Sequence, residues 1–174
     1  MSLASSQALA NMHRSLARRE NASSMMVASM AQLGRPLFES IAAALLTLGG
    51  AHAPISQTRR LLDVDNRFRE IDSIFENGGK VPGFGSAFYK GEPDPEVETV
   101  LRQIRPSTNS LITRLTQHVY QVTDKPLYPN AAMATAAVAM DMGLSPVNAP
   151  RLLVEGRMPV WVSIHSSNFK AGPQ

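Results

Sequence analysis

The feature that most limits what this chain can fold into is its punctuation: glycines and prolines fall between periodic segments and seldom within them. Pro36, Gly49-Gly50, Gly78-Gly79, Pro106, Pro129 and Gly143 each stand where a run rich in Ala, Leu and Met begins or ends. Inside those runs apolar residues recur at helical spacing, and good helix formers dominate. The pattern predicts an all-α fold of helices joined by short loops. At 174 residues the chain suits one domain, expected over 1–165 with a flexible tail at 166–174. A domain of that size buries roughly two-thirds of its unfolded surface and needs no covalent staple.

Composition removes several classes. There is no cysteine, which excludes disulfides and thiolate metal sites, and no metal is expected. The 17 basic and 14 acidic residues leave a net charge of +3, so a pI of 9.6 reflects a small excess and gives no basic stripe for nucleic acid. No apolar run approaches the ~20 residues of a membrane span. Met1-Ser2-Leu3-Ala4-Ser5-Ser6 lacks the charged and apolar regions of a signal peptide, and a soluble cytoplasmic protein is expected.

Taken in order, Leu9, Met12, His13 and Leu16 predict an amphipathic helix over 5–19, with His13 on its surface. Polar residues at 20–24 interrupt the pattern, and Met25, Met26, Val27 and Met30 carry a second helix to Leu33. Pro36 opens a third that runs to Leu48 with little polar face, so it is expected to be buried on most sides. Gly49 and Gly50 stop it and deliver His52 to a loop; on spacing alone His52 reads as a structural histidine.

From Ser56, the stripe Leu61, Val64, Phe68, Ile71, Phe75 predicts one long amphipathic helix, with Arg59, Asp63 and their charged neighbours on a solvated face. After it comes Val81-Pro82-Gly83-Phe84-Gly85-Ser86-Ala87-Phe88-Tyr89-Lys90. Pro82-Gly83-Phe84-Gly85 cannot be helical throughout and is suited to offer backbone N–H groups to an adenine or a phosphate, with Lys90 as a nearby positive charge; an ordinary surface turn has the same composition. Glu92-Pro93-Asp94-Pro95 caps a helix to about Ile104, and 105–109 caps another with Leu111, Leu115, Val119 and Val122 on one face and His118 packed beside them. Residues 125–130 form a stiff connector to an alanine-rich helix from Ala131 to Met142, and Pro146 and Pro150 frame a last short helix.

Five motifs follow one another in an order that resembles the citrate synthase family. That family carries a segment like HExNAS, an apolar helix leading to HGGA, a loop PGFGHxVYKxxDPR, PNVD opening a helix, and a later GR…GW. The corresponding residues here are Arg18-Arg19-Glu20-Asn21-Ala22-Ser23, Gly50-Ala51-His52-Ala53-Pro54, the run from Pro82 to Pro95, Tyr128-Pro129-Asn130, and Gly156-Arg157 with Trp161. The resemblance implies a citrate synthase-like helical fold, truncated at its N-terminal side, that corresponds to the small catalytic domain with flanking helices. It implies coenzyme A or an acyl-CoA as ligand, with Pro82, Gly83, Phe84, Gly85, Lys90 and Asn130 binding it. Arg18, Asn21 and Arg157 fall at substrate positions.

In that family an aspartate deprotonates the methyl group of acetyl-coenzyme A, one histidine stabilises the enol, and another polarises the ketone of oxaloacetate. His52 matches the enol-stabilising histidine. The second histidine falls on Ser86, the aspartate on Ala132, the arginine of DPR on Glu96, and the histidine of HExN on Arg18. Loss of a general base costs ~10² to 10⁴ in rate, so ordinary citrate synthesis is not expected. Two readings stay open. One is an acyl-CoA carbon–carbon lyase or acyltransferase, citryl-CoA lyase-like, with His52 and Ser86 as its catalytic groups. The other is a non-catalytic pseudoenzyme or one subunit of a split enzyme. An apolar helix at 36–48 short of cover implies a homodimer or a heteromeric partner.

Overall fold

The computed structural model describes residues 3–17, 22–48 and 54–170, and these contain nine α-helices and no strand. They are α1 (Leu3–Ala17), α2 (Ala22–Gln32), α3 (Leu37–Leu46), α4 (Ile55–Asp63), α5 (Arg67–Glu76), α6 (Pro95–Leu101), α7 (Pro106–Thr123), α8 (Ala131–Asp141) and α9 (Pro150–Asn168). The all-α expectation holds, and every proline or glycine that marked a boundary lies at or beside a helix end, apart from Gly49 and Gly50, which fall outside the described residues.

The alanine-rich α8 is the axis of the molecule. It packs against α1, α4, α6, α7 and α9, and residues 133–139 are all buried. Small side chains let five neighbours approach one helix, and Met133 and Val138 fill what the alanines leave open. Ile55, Leu62, Ile71, Val97, Ile112, Leu115 and Leu152 complete this core.

The helix from Pro36, expected to be buried on most sides, is covered by this one chain on a single side. Only Ser40, Ile41 and Ala44 of α3 are buried, on the side that meets α2 and α9 with Val27 and Trp161. Phe38 is 83% exposed and Leu46 88% exposed. A helix with so little polar face calls for cover on most sides, and one chain supplies it on one side only.

Three further expectations are corrected. The long helix predicted from Ser56 is two helices: Val64 is extended (φ −70°, ψ 140°), Asp65 is in the turn, and Asn66 starts α5. The apolar stripe runs on across the break, which is why spacing alone hid it, while short polar Asp and Asn side chains compete with helical backbone bonding. Arg59, expected on the solvated face, is buried; its Nε donates to the Leu144 carbonyl at 3.1 Å and its guanidinium pairs with Asp63. The predicted short last helix is the 19-residue α9, which carries Trp161 and His165 in its interior and runs on to Asn168, inside the segment expected to be a tail. Pro159 lies inside the helix on its exposed side, where the missing N–H removes one bond of the ladder.

The helix starts are chemically explicit. Asp94 caps α6, accepting from the amides of Glu96 and Val97. Asp141, at the end of α8, is buried and accepts from Arg105 N–H at 2.6 Å and Thr108 Oγ1 at 2.7 Å, which places its charge on the first turn of α7. His118 is more than packing: Nε2 lies 2.7 Å from Asp72 Oδ1, and the ring meets Phe68 edge to face, tying α7 to α5. His13 is half-buried instead of lying on the surface, and burial pushes its imidazole below its ordinary value while the negative charge of Glu155 opposes the shift.

Candidate functional site

The glycine loop is tied down by the connector that precedes α8. Gly85 N–H donates to the Tyr128 carbonyl at 2.8 Å, Asn130 N–H donates to the Gly83 carbonyl at 2.9 Å, and Phe84 pairs with Pro129 as an isolated antiparallel bridge. The Asn130 side chain completes the clip. Its Nδ2 donates to the Gly85 carbonyl at 2.8 Å, and its Oδ1 accepts from the amides of Ala132 and Met133 at the start of α8.

Two glycines make this geometry accessible. Gly83 has φ +88° and Gly85 φ +77°, a region costly for other residues. A Cβ on Gly83 would stand 2.5 Å from Thr58 Cγ2 and 2.9 Å from Met133 Cε, so the backbone rests directly on α4 and α8. The N–H groups of Phe84 and Gly85 are consumed inside the protein, and Phe84 itself is buried. The part that faces solvent begins at Ser86. Phe88 is 75% exposed and Lys90 is exposed, so the positive charge expected near the loop is presented to water.

Ser86 Oγ accepts from the amides of Phe88 at 3.1 Å and Tyr89 at 3.2 Å. Both hydroxyl lone pairs are thereby occupied, and what the side chain has left to offer is its proton. Half-buried Ala132 contributes a methyl group at the first turn of α8. The backbone amide of Glu96 is held by Asp94.

The predicted site residues thus divide. Pro82, Gly83, Phe84, Gly85, Ser86 and Asn130 come together in one clip, with Lys90 at its outer end. Arg157 is buried between α9 and α2, with Nη1 3.3 Å from Ser24 Oγ. Arg18, Asn21 and His52 lie outside the described residues. Thr58 and Met133, which fix how deep the loop sits, carry no mark in the sequence. Among the described residues no group of three or more His, Asp or Glu side chains converges to hold a metal, and no helix is long and apolar enough to cross a membrane.

No protein-family model and no curated protein sequence matches the chain. Solved structures do. Citryl-CoA lyase from Hydrogenobacter thermophilus superposes with a TM-score of 0.84 at 20% identity, covering 98% of this chain and 71% of that one. Citrate synthase from Thermotoga maritima MSB8 follows with a TM-score of 0.71 at 21% identity, over 91% of this chain and 49% of that one. The chain has the citrate synthase fold. It spans about half the length of the Thermotoga citrate synthase, in the region that includes the small domain. The citrate synthase fold is also present in ATP citrate lyase from Methanothrix soehngenii, solved in complex with citrate and coenzyme A, with a TM-score of 0.68 at 17% identity over 97% of this chain and 32% of that one.

Proposed function

We propose that this protein binds an acyl-coenzyme A at the loop from Pro82 to Lys90. The observation that carries the reading is the clip at Asn130, which holds Gly83 and Gly85 in their left-handed conformations and sets Lys90 at the solvent end of a rigid loop. A phosphate-bearing ligand gains from a fixed backbone with a cation beside it. The likeness in fold to a citryl-CoA lyase and to an ATP citrate lyase solved with coenzyme A supports the choice of ligand.

The reaction class that fits the residues is cleavage of a citryl-CoA-like thioester. Retro-aldol cleavage needs a proton taken from a hydroxyl and not from a methyl group, so a methyl side chain at Ala132 is less damaging to it than to citrate synthesis. Water would take the proton of the substrate hydroxyl as the carbon–carbon bond breaks, leaving a ketone and an enolate. His52 would stabilise that enolate until water returns a proton to its carbon, and Ser86 would hydrogen-bond to a substrate oxygen without giving up its proton. The arrangement of Ser86 also favours a second reading. A hydroxyl whose lone pairs are both engaged cannot act as a base, so a protein that binds acyl-CoA without turnover, or completes its site with a partner chain, is the alternative.

Exposed Phe38 and Leu46 on α3, with Met25 exposed on neighbouring α2 and Leu33 exposed just past its end, support assembly with a second subunit. Calorimetric titration of coenzyme A and acetyl-coenzyme A into the protein and a Lys90→Ala variant tests the binding reading. Binding that weakens in the variant is expected, and no heat with either ligand would refute it. Acetyl-CoA released on addition of citryl-CoA then separates the lyase from the binder.

A further inference from the structure

The connector that anchors the loop has a second side. Pro126, Leu127 and Tyr128 wall a hollow of about 430 Å³ whose floor is α7. A smaller hollow of about 220 Å³ adjoins it, sharing Thr116 and Tyr128, and continues toward α6. Both run along α7, but they differ in charge: Asp94, Glu98 and Arg102 line the smaller hollow, and no charged residue lines the larger. The floor of this groove is Asn109, Thr113, Thr116, Gln117, Tyr120 and Gln121, which fall on one face at helical spacing. The two basic residues of α7 stay off this face: neither Arg114 nor His118 lines the groove, and His118 turns to Asp72 of α5.

This lining selects a ligand class. The larger hollow falls within the ~300–1,000 Å³ typical of small-molecule sites, and no charged side chain lines it. An ion would lose water there without gaining a counter-charge. An uncharged ring with amide, carbonyl or hydroxyl groups would find the faces of Tyr120 and Tyr128 to stack on, and Gln117, Gln121 and Thr116 to hydrogen-bond.

Tyr128 links the groove to the loop. It lines both hollows, its carbonyl accepts the Gly85 N–H at 2.8 Å, and Pro129 beside it pairs with Phe84. We propose that the larger hollow of the groove along α7 is a regulatory site for an uncharged, nucleoside-sized ring compound, and that its occupancy reaches the glycine loop through Tyr128. The site itself stands on the groove alone; the regulatory link rests on the reading of the loop as an acyl-CoA site.

Adenosine is the probe, titrated to millimolar concentration into isotopically labelled protein and followed by amide resonances. Shifts at Gln117, Gln121 and Tyr128 are expected, lost in a Thr116→Trp variant that fills the groove. They should also weaken in Gln117→Ala/Gln121→Ala, whose exposed positions leave the melting temperature unchanged. Lys90→Ala should leave adenosine affinity as it was. Absence of shifts in the groove, or displacement of adenosine by coenzyme A, would overturn the site. Saturating adenosine should change coenzyme A affinity about fivefold or more, the lower end of usual allosteric couplings; unchanged affinity would overturn the link. If the wild type binds no coenzyme A at all, the loop reading fails, and the groove shifts are judged without it.

Discussion

The side-chain amide of Asn130 donates to the carbonyl of Gly85, so the residue that starts the buried helix α8 also holds the glycine loop in place. These two duties use different atoms and are separable. Asn130→Ala removes both and should cost about 1 to 2 kcal/mol of stability, the usual worth of a helix cap. Asn130→Asp keeps the cap, since a carboxylate accepts from the same amides, but loses the donor to Gly85. It should retain most of the stability while weakening coenzyme A binding. Thermal melts beside calorimetric titration check this, and equal loss of stability in both variants would contradict it.

Gly83 and Gly78 both have positive φ, yet their surroundings differ. Alanine at Gly83 adds a clash with Thr58 and Met133 to the backbone strain, whereas a Cβ at Gly78 meets nothing within 4 Å. Gly83→Ala should destabilise by roughly 2 to 4 kcal/mol and Gly78→Ala by about 1. Urea unfolding of the two variants measures the difference, which is the packing contribution.

The buried carboxylate of Asp141 satisfies Arg105 N–H and Thr108 Oγ1 together. Asp141→Ala leaves both donors without it and should cost about 2 to 3 kcal/mol, while Thr108→Val, which removes one donor, should cost less. Denaturant midpoints of the two variants give the order.

Because burial lowers the imidazole of His13 below its ordinary value near 6.5, the unfolded chain takes up a proton at that residue before the folded one does. Its contribution to stability is therefore full above the ordinary value and is lost as pH falls through it. Melting temperatures recorded from neutral pH down to about pH 5 should fall less steeply for His13→Gln than for the wild type across the same window.

Exposed Phe38 and Leu46 predict that the protein sediments as a dimer or larger species at micromolar concentration. Phe38→Glu with Leu46→Glu should shift it toward monomer without loss of helical signal, because neither side chain belongs to the core. Analytical ultracentrifugation of both forms decides.

Much of this protein is written locally in its sequence. Pro106 and Asp94-Pro95 start their helices, Gly143 and Gly78 end theirs, and the Leu111, Leu115, Val119 stripe faces inward as its spacing requires. The loop motif and the substitutions at Ser86 and Ala132 are equally legible, because a residue's chemistry does not depend on its neighbours. What the tertiary structure alone decided is which helix becomes the core. The chains of α3 and α8 read alike as apolar helices, but only α8 is surrounded, since burial depends on how many neighbours the fold brings and not on a segment's own composition. The same holds at the loop. The sequence announced two glycines, and only the approach of Thr58, Met133 and Asn130 from three distant segments shows why no larger residue fits at Gly83 and how the loop is held.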